Sequence, residues 1–162
     1  MSVDGRGPGI DVPPPTWFAL AYLIAWLLDR YVVHLWPTMP HETARSIGII
    51  GWVLIVTGMS LAMWGRTTFT RLKTPVYPNR DARLLVVEGP YRFSRNPMYT
   101  GIIIACIGGC AVLASLWPLI TVSVATVILY HGVIRREERY LTDEFGDDYR
   151  EYQRHVGRWF TL

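Results

Sequence analysis

Polar and apolar positions fall into long separate blocks along this chain. Ser46 to Gly65 carries no charged side chain, and neither does Met98 to Pro118. Each block matches the roughly 20 apolar residues that a helix needs to cross a bilayer. Leu119 to Ile134 is a third uncharged block, and its helix gains length from the polar residues beyond it. Thr16 to Trp36 is apolar apart from Asp29, Arg30 and His34. The pattern predicts an all-α integral membrane fold with four transmembrane helices, at about 16–36, 46–65, 97–116 and 118–142. A cytoplasmic loop at 66–96 and a C-terminal amphipathic helix at 147–158 complete the expected fold. Residues 1–15, rich in Gly and Pro, read as a poorly ordered leader, and 16–162 as one domain. The first helix lacks the basic leader and small-residue cleavage site of a signal peptide.

Small residues recur at a spacing of four: Gly58 and Ala62 on the second helix, and Gly101, Ala105 and Gly109 on the third. Such faces let helix backbones approach closely in lipid, so they read as packing seams. Trp117 and Pro118 mark a tight turn, which makes the third and fourth helices an antiparallel hairpin. Its other two ends then lie side by side, bringing Arg95 to Tyr99 near Glu137 and Glu138.

Local chemistry concentrates at that end. Pro97 suits the first helical position, where its missing N–H costs nothing, and Asn96 takes the N-cap. The remaining free N–H groups of the helix start attract anions, with Arg92 and Arg95 just before them. Tyr91, Phe93 and Tyr99 add flat surfaces for a ring. The plainer alternative is a capped helix whose arginines reach lipid headgroups. Thr74-Pro75 and Tyr77-Pro78 are turn signals in the long loop.

The fourth helix is expected to continue past the membrane through IRREERYLTDEF. Glu137 and Glu138 follow Ile134 by three and four residues and share its inward face with Leu141 and Phe145. Carboxylates on that face need a reason, because an outward face costs less. Either they serve a site or they pair with loop arginines such as Arg92 or Arg95. Gly146 reads as a helix stop and Asp147 or Asp148 as the next N-cap. The final helix presents Tyr149, Tyr152 and Val156 on one face and Arg150, Arg154 and Arg158 among its polar positions. It lies on a membrane surface or folds over the helix ends, anchored by Trp159 and Phe160.

Charge adds an orientation. The net charge of +3 matters less than its placement. Arg66, Arg71, Lys73, Arg80, Arg83, Arg92 and Arg95 stand in the long loop against Asp81 and Glu88. The tail carries six arginines with seven acids. The first loop holds only Arg45 and Glu42, and the Ser115–Pro118 turn holds none. Basic loops stay inside, so both termini are expected to be cytoplasmic. These charges flank membrane spans, which makes anionic lipid their partner and argues against nucleic acid. Asp29 and Arg30 fall in the outer part of the first helix, either as charges with a function inside a span or, the favoured reading, where the helix reaches the opposite interface. Cys106 and Cys110 have no metal-ligand pattern around them and read as packing residues.

GPYRFSRNPMYTG at Gly89 to Gly101, followed by EERYLTDEFGDDYREYQRHVGRW, closely resembles the isoprenylcysteine carboxyl methyltransferase family, and phospholipid N-methyltransferases look similar over the same region. The likeness runs roughly from Thr74 to Trp159. It implies a multi-pass enzyme that uses S-adenosylmethionine at the cytoplasmic ends of the last two membrane helices, with a lipophilic acceptor entering from the bilayer. Arg95, Pro97 and Tyr99 match the family's Arg-His-Pro-x-Tyr motif, Glu137 and Glu138 its paired glutamates, and Gly89 and Tyr91 the approach to the first motif. The resemblance therefore implies Gly89, Tyr91, Arg95, Asn96, Pro97, Tyr99, Glu137 and Glu138 at the cofactor and Arg95 and Glu138 in catalysis, and an arginine such as Arg158 or Arg92 is expected to join them by orienting an acceptor carboxylate. Asn96 stands where eukaryotic members carry His, which removes a titratable base. A carboxylate nucleophile is already ionised and needs none. Short bacterial relatives look like this chain, which points to a bacterial plasma membrane. Two other classes share parts of the pattern: NADPH-dependent sterol reductases and a non-catalytic lipid-binding or heme-pathway accessory module.

Overall fold

The computed structural model describes residues 14–72 and 84–160. Lys73, Arg80, Asp81, Arg83, the two X-Pro turn signals and nearly all of the expected leader lie outside the described residues. Five helices follow in order: α1 (Pro14–Tyr31), α2 (His41–Arg71), α3 (Pro97–Val112), α4 (Trp117–Leu129) and α5 (Arg135–His155). A 3₁₀ turn at Gly89–Arg92 precedes α3, and a π-helical turn at Tyr130–Ile134 joins α4 to α5 without a break.

The fold is all-α. Among the described residues, two rods hold a stretch long and apolar enough to cross a membrane: α2 and the continuous rod from Trp117 to His155, with mean hydropathy 2.0 and 1.7 over their 18-residue apolar windows. Only 11% of the apolar window of α2 is buried inside the structure. Ile49, Trp52, Val53, Val56, Met59 and Met63 stand exposed along it. An exposed apolar surface of that length belongs against hydrocarbon. The chain is thus membrane-associated and multi-pass by helix composition.

α2 is longer than expected at both ends, running from His41 to Arg71 where the charge-free block covers 46–65. Helix geometry does not stop at the first charge, and the added turns carry exposed polar residues. α3 is shorter, ending at Val112 where 97–116 was expected. Ala114 takes a positive φ of 48° and turns the chain at once toward α4.

α2 and α3 pack antiparallel with their backbones in contact. A methyl group at Gly58 would run into the carbonyl of Gly101, and one at Gly101 into that of Gly58. The same holds between Gly51 and Gly108. The seam is therefore Gly51, Gly58 and Ala62 against Gly101, Ala105 and Gly108, a close approach that small residues allow in lipid. Gly109, expected on that seam, faces Tyr22 of α1 instead. It sits one residue on from Gly108, about 100° around the helix. The apolar core lies on the other side of α3, where Phe18 and Ala21 of α1, Tyr99 and Cys106 of α3, and Val122, Ala125 and Leu129 of α4 meet.

The α3–α4 turn is tied to α1. Ser115 Oγ donates to Asp29 Oδ1 at 2.7 Å, and His34 Nδ1 lies 2.9 Å from Asp29 Oδ2. Leu116 N donates to Leu35 O, and Trp117 Nε1 to Val33 O. Asp29 therefore sits at the end of the bundle opposite to Arg95.

At the other end, Gly146 interrupts α5 with φ 55° and ψ −121°. The helix bends there and continues on a new axis to His155. Val156 is extended, so the second half ends three residues before the expected 158. Arg158 consequently stands past the helix, on a segment that turns back over the start of α3.

Candidate active site

The site is built where α3 begins, α5 leaves the apolar rod, and the C-terminal segment crosses both. The charge-free stretch of the α4 rod ends at Ile134, so Glu137 and Glu138 lie beyond it.

Glu138 is held by two arginines. Arg158 donates to it through both sides of its guanidinium, Nε to Oε1 at 2.9 Å and Nη2 to Oε2 at 2.7 Å. Arg95 Nη1 adds a third bond to Oε1 at 2.8 Å. A forked Arg–carboxylate pair with a second arginine is both strong and geometrically demanding. The Arg158 guanidinium also lies over the Tyr130 ring, 5.0 Å from its centre.

Glu137 has a different environment. Its hydrogen bond comes from Tyr99 Oη at 3.3 Å. Burial pushes its carboxyl up to about 7, and the neighbouring Glu138 charge acts in the same direction, while the Tyr99 bond opposes both. Two adjacent carboxylates thereby have unlike surroundings, one gripped by two guanidinium groups and one buried against a single phenol.

Two buried polar atoms beside them have no hydrogen-bond partner among the described residues: Tyr91 Oη and Arg95 Nε. Buried orphans are rare and call for an explanation. Tyr91 is fixed in the 3₁₀ turn by edge-to-face packing on Phe69 and by Tyr152 Oη, which donates to its carbonyl at 2.7 Å. Burial raises the pKa of Tyr91 and Tyr152 above the ordinary phenol value, so both stay protonated.

The C-terminal segment closes the arrangement. Arg95 N donates to Gly157 O at 2.9 Å. Ser94 Oγ and Asn96 Nδ2 both donate to Arg158 O. Asn96 occupies the N-cap position, but its side chain does not cap α3; the returning segment takes its amide. The backbone N–H of Asn96 goes to Ser94 Oγ instead.

Of the expected site residues, Arg95, Tyr99, Glu137, Glu138 and Arg158 are brought together directly, with Tyr91 and Asn96 at the margins. Pro97 is buried at the first position of α3. Gly89 adopts φ 58° and lies against Trp64 and Thr68 of α2, where only a residue without a side chain fits. Arg92 is exposed. Tyr149, 2% exposed and close to Arg95, belongs to the same cluster. It and Tyr152 were legible only as one helix face. Tyr130, under Arg158, gave no signal at all.

Farther along the hairpin, an apolar cavity of about 280 Å³ opens between α3 and α4. Ile103, Cys106, Ile107, Cys110, Leu119 and Val122 are among its walls. It starts one helical turn from Tyr99. Ser123 and Thr126 also reach it, but both hydroxyls are turned back onto carbonyls of their own helix.

Comparison with known proteins gives a consistent set of likenesses. The family model described as Phospholipid methyltransferase matches residues 47–148, which takes in Gly89 to Gly101 and the paired Glu137 and Glu138 and leaves Arg158 outside. The chain is 30% identical over 116 residues to methanethiol S-methyltransferase 1 of Bradyrhizobium diazoefficiens, covering 70% of this chain and 40% of that protein. It is 30% identical over 115 residues to a probable protein-S-isoprenylcysteine O-methyltransferase of Oryza sativa subsp. indica, covering 68% and 59%. It is 33% identical over 104 residues to the cobalt-zinc-cadmium resistance protein CzcN of Cupriavidus metallidurans, covering 64% and 45%. The chain spans about half the length of the curated relatives it matches. Among solved structures, it is similar to a eukaryotic intramembrane Ras methyltransferase (isoprenylcysteine carboxyl methyltransferase) with a TM-score of 0.60 at 20% identity. That match covers 94% of this chain and 54% of the other, a likeness of fold.

Proposed function

Because this chain belongs to the phospholipid methyltransferase family, we propose that it transfers a methyl group from S-adenosylmethionine to a lipophilic acceptor, with O-methylation of a carboxylate on an isoprenylcysteine-like molecule as the favoured case. The observation that carries this reading is the contrast between Glu137 and Glu138. Glu138 is saturated by Arg95 and Arg158. Glu137 has one long hydrogen bond and an unpartnered phenol nearby. A buried carboxylate with so little support favours a cationic partner. S-adenosylmethionine brings an ammonium and a sulfonium, and the orphaned Arg95 Nε suits its carboxylate. The residues present therefore fit the cofactor: Glu137, Tyr91 and Tyr99 toward its cationic part, Arg95 toward its anionic part.

When bound, the cofactor supplies an electrophilic methyl group on a sulfonium that carries its own leaving group. The protein's share is alignment and exclusion of water. Arg158 and Arg95 leave the Glu138 cluster with a net positive charge, which orients an acceptor carboxylate. Residues 156–159, bonded across Ser94, Arg95 and Asn96, cover the helix ends. A carboxylate acceptor needs no general base, in keeping with Asn96. The apolar cavity between α3 and α4 supports a hydrocarbon chain on the acceptor.

We read α1 and α3 as spans as well, giving four crossings. At 1.5 Å per residue they are about 27 and 24 Å long, a little short of the roughly 30 Å core. Mismatch of that size costs little. Arg66, Arg71, Arg92, Arg135, Arg136 and Arg139 stand at the site's end, against Arg30 and Arg45 at the other. That asymmetry favours a cytoplasmic site with both termini on its side, and the likeness of RNPMY to short bacterial relatives is the ground for a bacterial plasma membrane.

The test is calorimetric titration of detergent-purified protein with S-adenosylmethionine, S-adenosylhomocysteine and NADPH. It is followed by transfer of labelled methyl to carboxylate, thiol and amine acceptors of matched chain length. Binding of both adenosyl compounds and labelling of the carboxylate acceptor are expected. Folded protein that binds only NADPH, or none of the three, would sink the methyltransferase reading. Labelling confined to the thiol or amine would correct the acceptor.

A further inference from the structure

The rod from Trp117 to His155 is not a uniform helix, and its irregularity falls just before the two glutamates. Arg135 N–H donates to Tyr130 O, five residues back, where an α-helix would reach four. Such a turn takes up one residue more than an α turn. Its consequence is read from the helix face. Leu129 is 0% exposed and points into the core. In an uninterrupted α-helix the residue seven places on shares that face, and this is Arg136. Arg136 is exposed. Glu137, eight places on, instead reaches Tyr99 on α3. Val133 and Ile134, adjacent in sequence, are both buried, at 5% and 0%, as expected where the turn widens. At about 100° per residue, an uninterrupted helix would place Glu138 about 180° from Leu129, facing away from Arg95.

We infer that the extra residue in the Tyr130–Ile134 turn is a register device: it rotates α5 by one residue relative to α4, bringing Glu137 and Glu138, in place of Arg136, to face Tyr99 and Arg95. Tyr130 serves it twice, accepting the long backbone bond and carrying the Arg158 guanidinium on its ring. Gly132 sits at the middle of the turn, where an added methyl group would meet nothing. The glycine is therefore not demanded by packing, and the spacing rather than the side chain is what the turn contributes. The functional part of this inference rests on the reading of the glutamates as cofactor-side residues; the geometric part does not.

A register device makes an asymmetric prediction. Deleting one residue inside the turn leaves an ordinary α-helix with α5 in the same rotation, displaced by only about 1.5 Å along its axis. Inserting one rotates everything beyond it by about 100°. In a regular helix the two changes would be equally harmful. The variants are deletion of Gly132, deletion of His131 as a second position, and an alanine inserted after Gly132. Two readouts are taken. The first is the affinity for S-adenosylhomocysteine. The second needs no ligand: with Cys106 and Cys110 replaced by serine, Arg95→Cys and Glu138→Cys are linked by a short bifunctional thiol reagent. At least one deletion is expected to keep the cross-link and to bind within about tenfold of the parent, given the small axial shift. The insertion is expected to lose the cross-link and at least about a hundredfold in affinity, the scale of a lost buried charge contact. Loss of the cross-link in both deletions, or its persistence in the insertion, would overturn the inference. A parent protein that binds no adenosyl compound while the cross-links follow this pattern would leave the register device standing and remove the cofactor reading alone.

Discussion

The two ends of the α3–α4 hairpin each hold a cluster of polar side chains, and the clusters differ in how completely they satisfy themselves. At the Ser115 end, Asp29 accepts from Ser115 and contacts His34, while Trp117 and Leu116 bond to carbonyls of the segment after α1. These groups are matched within the chain and hold one turn against one helix. At the Arg95 end the bonding is denser but incomplete. Three bonds converge on Glu138, yet Tyr91 Oη and Arg95 Nε have no partner among the described residues. Folding alone rewards the first arrangement. The second leaves buried capacity unused, which is reasonable only where something else uses it. That contrast is the ground for proposing the Arg95 end as the site, and it does not depend on residue type, since both clusters contain acids, hydroxyls and aromatic rings.

The largest effect is expected from Glu138. Glu138→Gln leaves Arg95 and Arg158 facing each other without their anion, and removing one partner of a buried pair costs about 3–5 kcal/mol. Affinity for S-adenosylhomocysteine is expected to fall on the order of 100-fold, because Arg95 loses its anchor and the segment bearing Arg158 is released. Calorimetry with a thermal melt checks both. Unchanged affinity in a stable variant would make the triad a structural brace, like the cluster at the other end.

A smaller and more specific effect is expected from Glu137. Its folded-state pKa of about 7 lies above its ordinary value of 4.5, so the folded protein holds the proton more tightly than the unfolded chain. Its contribution to stability is full below 4.5 and is lost as the pH rises through about 7. Ligand binding runs the other way, because a cation favours the ionised form. Affinity for S-adenosylhomocysteine is expected to strengthen as the pH rises from 5 to 7, with proton release on binding. Glu137→Gln is expected to weaken binding by about tenfold, one lost charge-assisted bond, and to flatten that profile. The ligand's own amino group titrates higher, and any dependence it causes persists in the variant. A parent profile equally flat would remove Glu137 from the site.

How much of this was legible in the sequence depended on how far apart the partners lie. The all-α class followed from charge-free blocks, which are local. The pairing of Arg95 and Tyr99 with Glu138 and Glu137 followed from one turn at Trp117, because a hairpin fixes which ends meet. The inward face of the glutamates was legible from Ile134 but would have been misread from Leu129, since the π turn lies between the two and nothing in YHGVI announces it. Asn96 was assigned a capping bond by propensity, and the carbonyl of Arg158, 62 residues away, took its amide instead. Arg158 was expected in catalysis, but its place was read as a polar position on a final helix. That helix ends at His155, and the extended backbone at Val156 turns Arg158 onto Glu138. Local rules placed the elements, and the long-range return of the C-terminal segment completed the cluster.

The smallest effect is expected from the self-satisfied end, and it sharpens the comparison most. Asp29→Asn keeps the size of the side chain and its ability to accept from Ser115, but weakens that bond and the contact with His34. The turn that Asp29 holds is also secured by Leu116 N to Leu35 O and by Trp117 Nε1 to Val33 O, so the loss is shared. A modest lowering of the thermal midpoint is expected, with affinity for S-adenosylhomocysteine and its pH profile unchanged. If Asp29→Asn instead altered cofactor affinity while the midpoint held, the two ends would be coupled through the hairpin. Matched and unmatched clusters would then no longer divide structure from function in this fold.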